Sequence, residues 1–159
     1  MKTIKLQLTG KVAMVDDEDF ERLSKFKWWL AYTGNITRKF SKNNRTKHIS
    51  LASEVMNKPG VMHDHIDRDP FNNQKSNLRQ CNYSQNAGNQ KINKAGKTSK
   101  YRGVFLNRRD GTWRAVIRRN GKIKCIGTFK SEELAAKHYD VYALEFFKEF
   151  ACLNFPKSI

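Results

Sequence analysis

The stretch from Thr112 to Phe129 limits the folds open to this chain more than any other. Trp113, Ala115 and Ile117 alternate with Arg114, Val116 and Arg118, so one face of a strand packs on a core and the other faces solvent. Asn120-Gly121 follows, a pair that accepts the positive φ angles of a tight hairpin turn, and it joins this strand to a second at Lys122–Phe129. Ser131 is then placed to cap a helix, with Glu132 and Glu133 in its first turn, where they complement the positive end of the helix. Ala135, Tyr139, Tyr142, Phe146 and Phe150 recur at helical spacing and read as the face that covers the sheet. The small Ala135 and Ala136 allow close approach. This half of the chain is therefore read as α+β, an antiparallel hairpin under one helix.

Arg114 and Arg118 lie on the exposed side of that strand, and arginine suits phosphates and guanine edges. The whole chain carries a formal charge of +16. Residues 1–92 hold 16 basic and 9 acidic side chains; residues 93–159 hold 15 and 6, so the shorter second half is the more basic. Such a balance favours nucleic acid through counterion release. A ribosomal or RNA-binding protein shares it, so charge alone does not choose the function. The 159 residues suit two small domains with limited cores, to which bound metal or DNA adds stability. Cys81, Cys125 and Cys152 form no CxxC pair, so neither structural zinc nor a disulfide framework is expected, which fits a reducing cytoplasm. No apolar run is long enough for a membrane span, and Met1-Lys2-Thr3 opens no secretory signal.

Residues 62–90 carry the chemistry. Asp64-His65, Asn77-Leu78-Arg79 and Asn86 stand in a run crowded with side chains that bind metals or move protons. Phosphodiester hydrolysis needs a nucleophile, a base and positive charge on the developing phosphorane. A neutral imidazole takes a proton from water. The Asp64 carboxylate and the Asn86 carbonyl suit a hard cation such as Mg²⁺ or Mn²⁺. Val61–Ile66 reads as a short strand, Asp67–Gln74 as a polar loop and Tyr83–Gln90 as a short helix, an order able to bring Asp64, His65 and Asn86 together.

That order and spacing resembles the HNH nuclease motif, the ββα-metal site of phage and homing endonucleases. The resemblance implies that Asp64 and Asn86 hold one divalent cation, that His65 activates water, and that Asn77 braces the loop and orients the base. His63 flanks Asp64 on the other side; the family pattern favours His65 as base and leaves the role of His63 open. The family often has Asp-Asn-Arg in the loop where this chain has Asn72-Asn73-Gln74. That departure puts an Arg contact in question and removes no expected metal ligand.

A second resemblance covers about residues 99–156. SKYRGV, TWRAVIRR, IGTFKSEELAAKHYDVYALEFF and LNFP together are similar to the plant ethylene-response-factor (APETALA-type) domain. That likeness implies a three-stranded antiparallel sheet packed on one helix, with the sheet entering the major groove of double-stranded DNA. The expected contacts are Arg102, Arg114 and Arg118, and with less weight Lys122 and Lys124. On the third strand two arguments conflict. Alternation separates Lys122 and Lys124 from Ile123 and Cys125, and the family places its reading side chains at the latter pair.

The first third is less informative. Ile4, Leu6 and Leu8, the turn at Thr9-Gly10, then Val12 and Met14 predict a hairpin. Asp16 or Asp17 starts a short helix with Phe20, Leu23 and Phe26 on one side; Trp28, Trp29 and Tyr32 predict a strand, and Gly34-Asn35 a turn into Ile36–Phe40. This segment is similar to the region before the motif in phage homing-type nucleases. Arg38, Lys39, Lys42 and Arg45 either contact DNA or belong to a solvated loop. The domains expected are a nuclease domain at 1–92, a basic linker at 93–99 and a DNA-reading domain at 100–159. The chain reads as a cytoplasmic, metal-dependent DNA endonuclease of phage homing type, acting as a monomer or a DNA-dependent dimer and nicking or cutting both strands. A non-cutting regulator with a decayed nuclease domain is the alternative.

Overall fold

The computed structural model describes residues 1–42, 45–90 and 98–156, and the chain divides into two compact units, Met1–Asn82 and Tyr83–Ile159. Residues 93–97 of the expected linker lie outside the described residues. No helix of the described residues is long and apolar enough to cross a membrane.

The predicted first hairpin is present as β1 (Lys2–Gln7) and β2 (Val12–Val15). Ile4 pairs with Ala13 and Lys2 with Val15, so the buried face of β2 is Ala13 and Val15 rather than Val12 and Met14. Leu8 does not continue the strand; it takes φ 67° in the turn and is 98% exposed. Helix α1 (Asp17–Ser24) crosses to β3 (Trp28–Leu30), which lies parallel to β1. Tyr32 falls beyond β3 in a turn closed by Gly34 N–H donating to the Ala31 carbonyl. Strands β4 (Ile36–Lys42) and β5 (Arg45–Ser50) complete a five-stranded sheet of order β2-β1-β3-β4-β5. Ser50 caps α2 (Leu51–Val55) by accepting from the Ser53 N–H. Leu23, Trp28, Leu51 and Val55 are fully buried between helices and sheet, and each such side chain contributes about 1.5–3 kcal/mol. The Trp28 indole N–H donates to the Leu23 carbonyl at 2.9 Å, so the largest core residue leaves no unmet polar group. A second, two-stranded sheet joins β6 (His63–His65) to β7 (Leu78–Gln80), a strand too short to be read from the sequence.

The second unit opens with α3 (Tyr83–Asn89). Strands β8 (Val104–Asn107), β9 (Thr112–Arg119) and β10 (Lys122–Phe129) form the expected antiparallel sheet under α4 (Glu132–Phe147). Asn120 and Gly121 take φ 50° and 75°, the geometry the hairpin signal demands. Ser131 caps α4 by accepting from the Leu134 N–H. The covering face of α4 is Ala135, Ala136, Tyr139, Ala143 and Phe147, with Phe150 just beyond. Tyr142 and Phe146 instead flank that face, half-buried. Gly103 explains the YRGV motif: it takes φ 71°, and a Cβ there would stand 2.1 Å from the Tyr139 ring. Asn154 explains the LNFP exit. Its side chain bridges the Arg102 backbone and the Asp140 carboxylate, which also accepts from the Phe155 N–H.

Candidate functional site

Strands β6 and β7 place Asp64 directly opposite Arg79 and His65 opposite Leu78. Asp64 is only 5% exposed. A buried carboxylate needs a partner, and Arg79 donates to its Oδ2 from Nε at 2.9 Å and Nη2 at 2.8 Å. Next along the strand, His65 Nε2 lies 3.2 Å from Asn73 Oδ1. Asn73 is 1% exposed, and its Nδ2 donates to the Pro70 carbonyl at 2.8 Å. Its amide oxygen therefore faces the ring as an acceptor. The matching tautomer carries the proton on Nε2 and puts the lone pair on Nδ1, the form that accepts a proton from water.

Asn77 ties the loop together. Its Oδ1 accepts from the Asp67 N–H at 3.0 Å, and its Nδ2 donates to Asp67 Oδ1 at 2.9 Å and to the Asn72 carbonyl at 2.8 Å. Burial raises the Asp67 carboxyl, but hydrogen bonds from the Asp69 N–H, Asn77 and Asn72 outweigh it and hold the group below its usual range. The far side of the loop is pinned to the acidic start of α1. Asp16 accepts from the Lys75 N–H at 2.8 Å and from Gln74 Nε2 at 3.2 Å, while Lys75 Nζ meets Glu18 and Asp19 at 2.5 and 3.0 Å. Asn73 N–H donates to the Met14 carbonyl at 2.9 Å. The segment 16–19 thus fixes the loop that orients His65.

His63 has different surroundings. Its Nδ1 lies 3.4 Å from Ser53 Oγ on α2, Nε2 is buried without a hydrogen-bond partner, and burial pushes the imidazole below its ordinary value. Arg38 is committed to Glu54 by two hydrogen bonds of 3.0 and 3.1 Å and lies over the Phe26 ring at 4.1 Å. Lys39, Arg45 and Lys47 are exposed on β4 and β5, which are regular strands rather than a loop.

In the second unit the register separates the two faces of the sheet. Ile123 pairs with Arg118, and Lys124 pairs with the buried Ile117. Cross-strand partners share a face. The exposed face therefore carries Arg114 and Arg118 with Phe105, Ile123 (62% exposed) and Cys125. Arg114 Nη2 lies 3.7 Å from Cys125 Sγ. Lys122 and Lys124 fall on the helix side, with Lys124 Nζ 4.6 Å from the Tyr142 ring and 5.2 Å from that of Phe146. The conflict on the third strand is thus resolved in favour of Ile123 and Cys125 as outward-facing. A two-residue turn pairs Arg119 with Lys122, and counting back from it assigns each face; that signal was in the sequence.

Asn86 is half-buried on α3. Arg102 points its guanidinium inside the second unit, onto the Tyr139 hydroxyl and the carbonyls of Ala87 and Gln90. Sequence reasoning passed over Asn73, Asp67 and Arg79 as site residues; Asn73 stood in view only as part of a departure from a motif. The Asp64 carboxylate and the Asn86 amide carbonyl are each of the oxygen type that a hard cation takes; among the described residues no group of three or more His, Cys, Asp or Glu side chains converges.

The AP2 domain family matches residues 99–149. Over 147 residues the chain is 31% identical to an uncharacterized HNH endonuclease of Acanthamoeba polyphaga mimivirus, an alignment that covers 91% of this chain and 75% of the relative.

Proposed function

This chain belongs to the HNH endonuclease family, and on that premise we propose that it hydrolyses phosphodiester bonds of double-stranded DNA with one Mg²⁺ or Mn²⁺ ion, at sites chosen by its AP2 domain. The observation that carries this reading is His65, beside the buried Asp64 and held through Nε2 by the buried Asn73. His65 Nδ1 takes the proton from the attacking water. Asp64 and Asn86 would hold the ion, which would supply positive charge to the transition state and to the leaving 3′ oxygen. Asn77, through Asp67, holds the loop rigid while Asn73 fixes the base. Arg79 holds the Asp64 carboxylate in place through its two hydrogen bonds.

DNA binding follows from the AP2 domain. Arg114 and Arg118 are the contacts assigned to it, since both lie on the open face of the sheet. A homing-type role, and action as a monomer or as a DNA-dependent dimer, complete the proposal. Supercoiled plasmid incubated with the full chain in Mg²⁺ tests it: conversion to nicked or linear product is expected, and none in chelator. Undiminished cleavage after exhaustive chelation and dialysis would refute the one-metal mechanism.

A further inference from the structure

Helix α3 has seven residues, and helices that short are marginal without outside support. The last four carbonyls of any helix lack intrahelical partners. Two of those on α3 are met by distant residues of the second unit. Arg102 Nη2 donates to the Ala87 carbonyl at 2.5 Å, and the Cys152 N–H donates to the Gly88 carbonyl at 3.1 Å. Arg102 Nη1 donates to the Gln90 carbonyl just past the helix end, and Nε to the Tyr139 hydroxyl at 2.8 Å. Every nitrogen of this guanidinium is thereby engaged, and its positive charge sits at the end of the helix that carries partial negative charge. Packing agrees. A Cβ on Gly88 would lie 2.7 Å from Cγ of Phe147 on α4, near the root of a buried ring with no room to yield.

We propose that Arg102 is a positioning residue that clamps α3 onto the sheet and helix of the DNA-reading domain, and is not itself a DNA contact. The helix that bears Asn86 is then a structural part of the reading domain. The importance of α3 to cleavage rests on Asn86 being a metal ligand, as proposed above; the clamp itself does not.

Hydrogen exchange of the full chain, followed by mass spectrometry on peptides spanning 83–90, tests the clamp without using activity. Arg102→Ala should raise exchange there at least tenfold, while peptides from β9 and β10 stay protected and affinity for a DNA duplex at fixed salt changes less than twofold. Arg102→Lys, which keeps the charge and loses the fork, should show the same rise. Gly88→Ala should unseat α3 by a separate route, and it carries the test should Arg102→Ala disturb the sheet as well. Unchanged exchange at 83–90 in Arg102→Ala and Gly88→Ala alike would overturn the clamp. So would a tenfold loss of DNA affinity in Arg102→Ala with exchange at 83–90 unaltered, since that is the behaviour of a DNA contact. Plasmid cleavage by the unaltered chain, with and without Mg²⁺, reports separately on the nuclease reading.

Discussion

In the first unit Arg22, Arg38 and Arg79 each meet a carboxylate, those of Asp19, Glu54 and Asp64. In the second, Arg114 and Arg118 meet none among the described residues and lie on an open sheet face. The formal charge of +16 hides this division. An arginine held by a partly buried acid has its geometry fixed and its field neutralised, so it serves the architecture. One left on an exposed strand keeps its field for phosphates and base edges. All 9 acidic residues of the span 1–92 precede Tyr83, and most of those near the site are occupied with holding it.

The comparison fails first, if it fails, at catalysis. His65→Ala is expected to lower plasmid cleavage about 10²–10⁴-fold with DNA affinity kept, because His65 belongs to the first unit and the sheet face assigned to DNA belongs to the second. Near-normal cleavage by His65→Ala together with a dead His63→Ala would move the base to the other histidine. Asn73→Ala should lower kcat by about 10²-fold with KM little changed, as expected for a base left out of line.

The unpaired arginines come next. If Arg114 or Arg118 reads a guanine edge, its replacement by Ala should cost roughly 1–3 kcal/mol on the cognate duplex and relax specificity at that base. If both touch only phosphates, affinity should fall evenly on cognate and scrambled duplexes and the salt dependence should flatten. In either case the melting of the protein alone should stay within about 0.5 kcal/mol of the parent. Unchanged binding by the double variant would remove the sheet face as the DNA surface.

A paired arginine should behave in the opposite way. Arg38→Ala should lower stability in urea by roughly 1–2 kcal/mol and leave DNA affinity alone; weaker binding at full stability would break the distinction between the units. The smallest effect is one of pH. Burial raises the Asp19 carboxyl, but Arg22 and Lys75 outweigh it and hold it below its usual range. A lowered folded value means that the pairing stabilises above the unfolded value of about 3.9 and is lost as pH falls through the folded one. The stability gap between the parent and Asp19→Asn should therefore narrow below about pH 4, measured by urea melts across pH.

Local signals were legible in the sequence and distant ones were not. The Asn120-Gly121 turn, the Ser131 cap and the alternation of β9 are set by neighbours within a few residues, and each stands as expected. Strand β7 was missed because three residues carry no period. The inward face of β2 was misjudged because Leu8, read as the next strand residue, is the turn itself. Asp64, His65 and Asn77 stood out by type and spacing. Asn73 did not, since its value comes from burial beneath a histidine 8 residues away and from a backbone bond to Met14. The contacts of Arg102 were equally out of view: its partners Ala87 and Tyr139 lie 15 and 37 residues distant.

Strand β5 is the last of its sheet, and among the described residues no strand pairs with its outer rim. Such a rim invites a strand from another molecule to add on and repeat the process. Arg45, Thr46, Lys47 and His48 stand exposed along it. Two copies brought rim to rim would oppose like charges in a row, so polymerisation along this rim is discouraged. Replacing Lys47 and His48 with Val would remove that protection and leave β4 and β5 unaltered, and the consequence would appear as growing light scatter in concentrated solution rather than as any change in the isolated molecule.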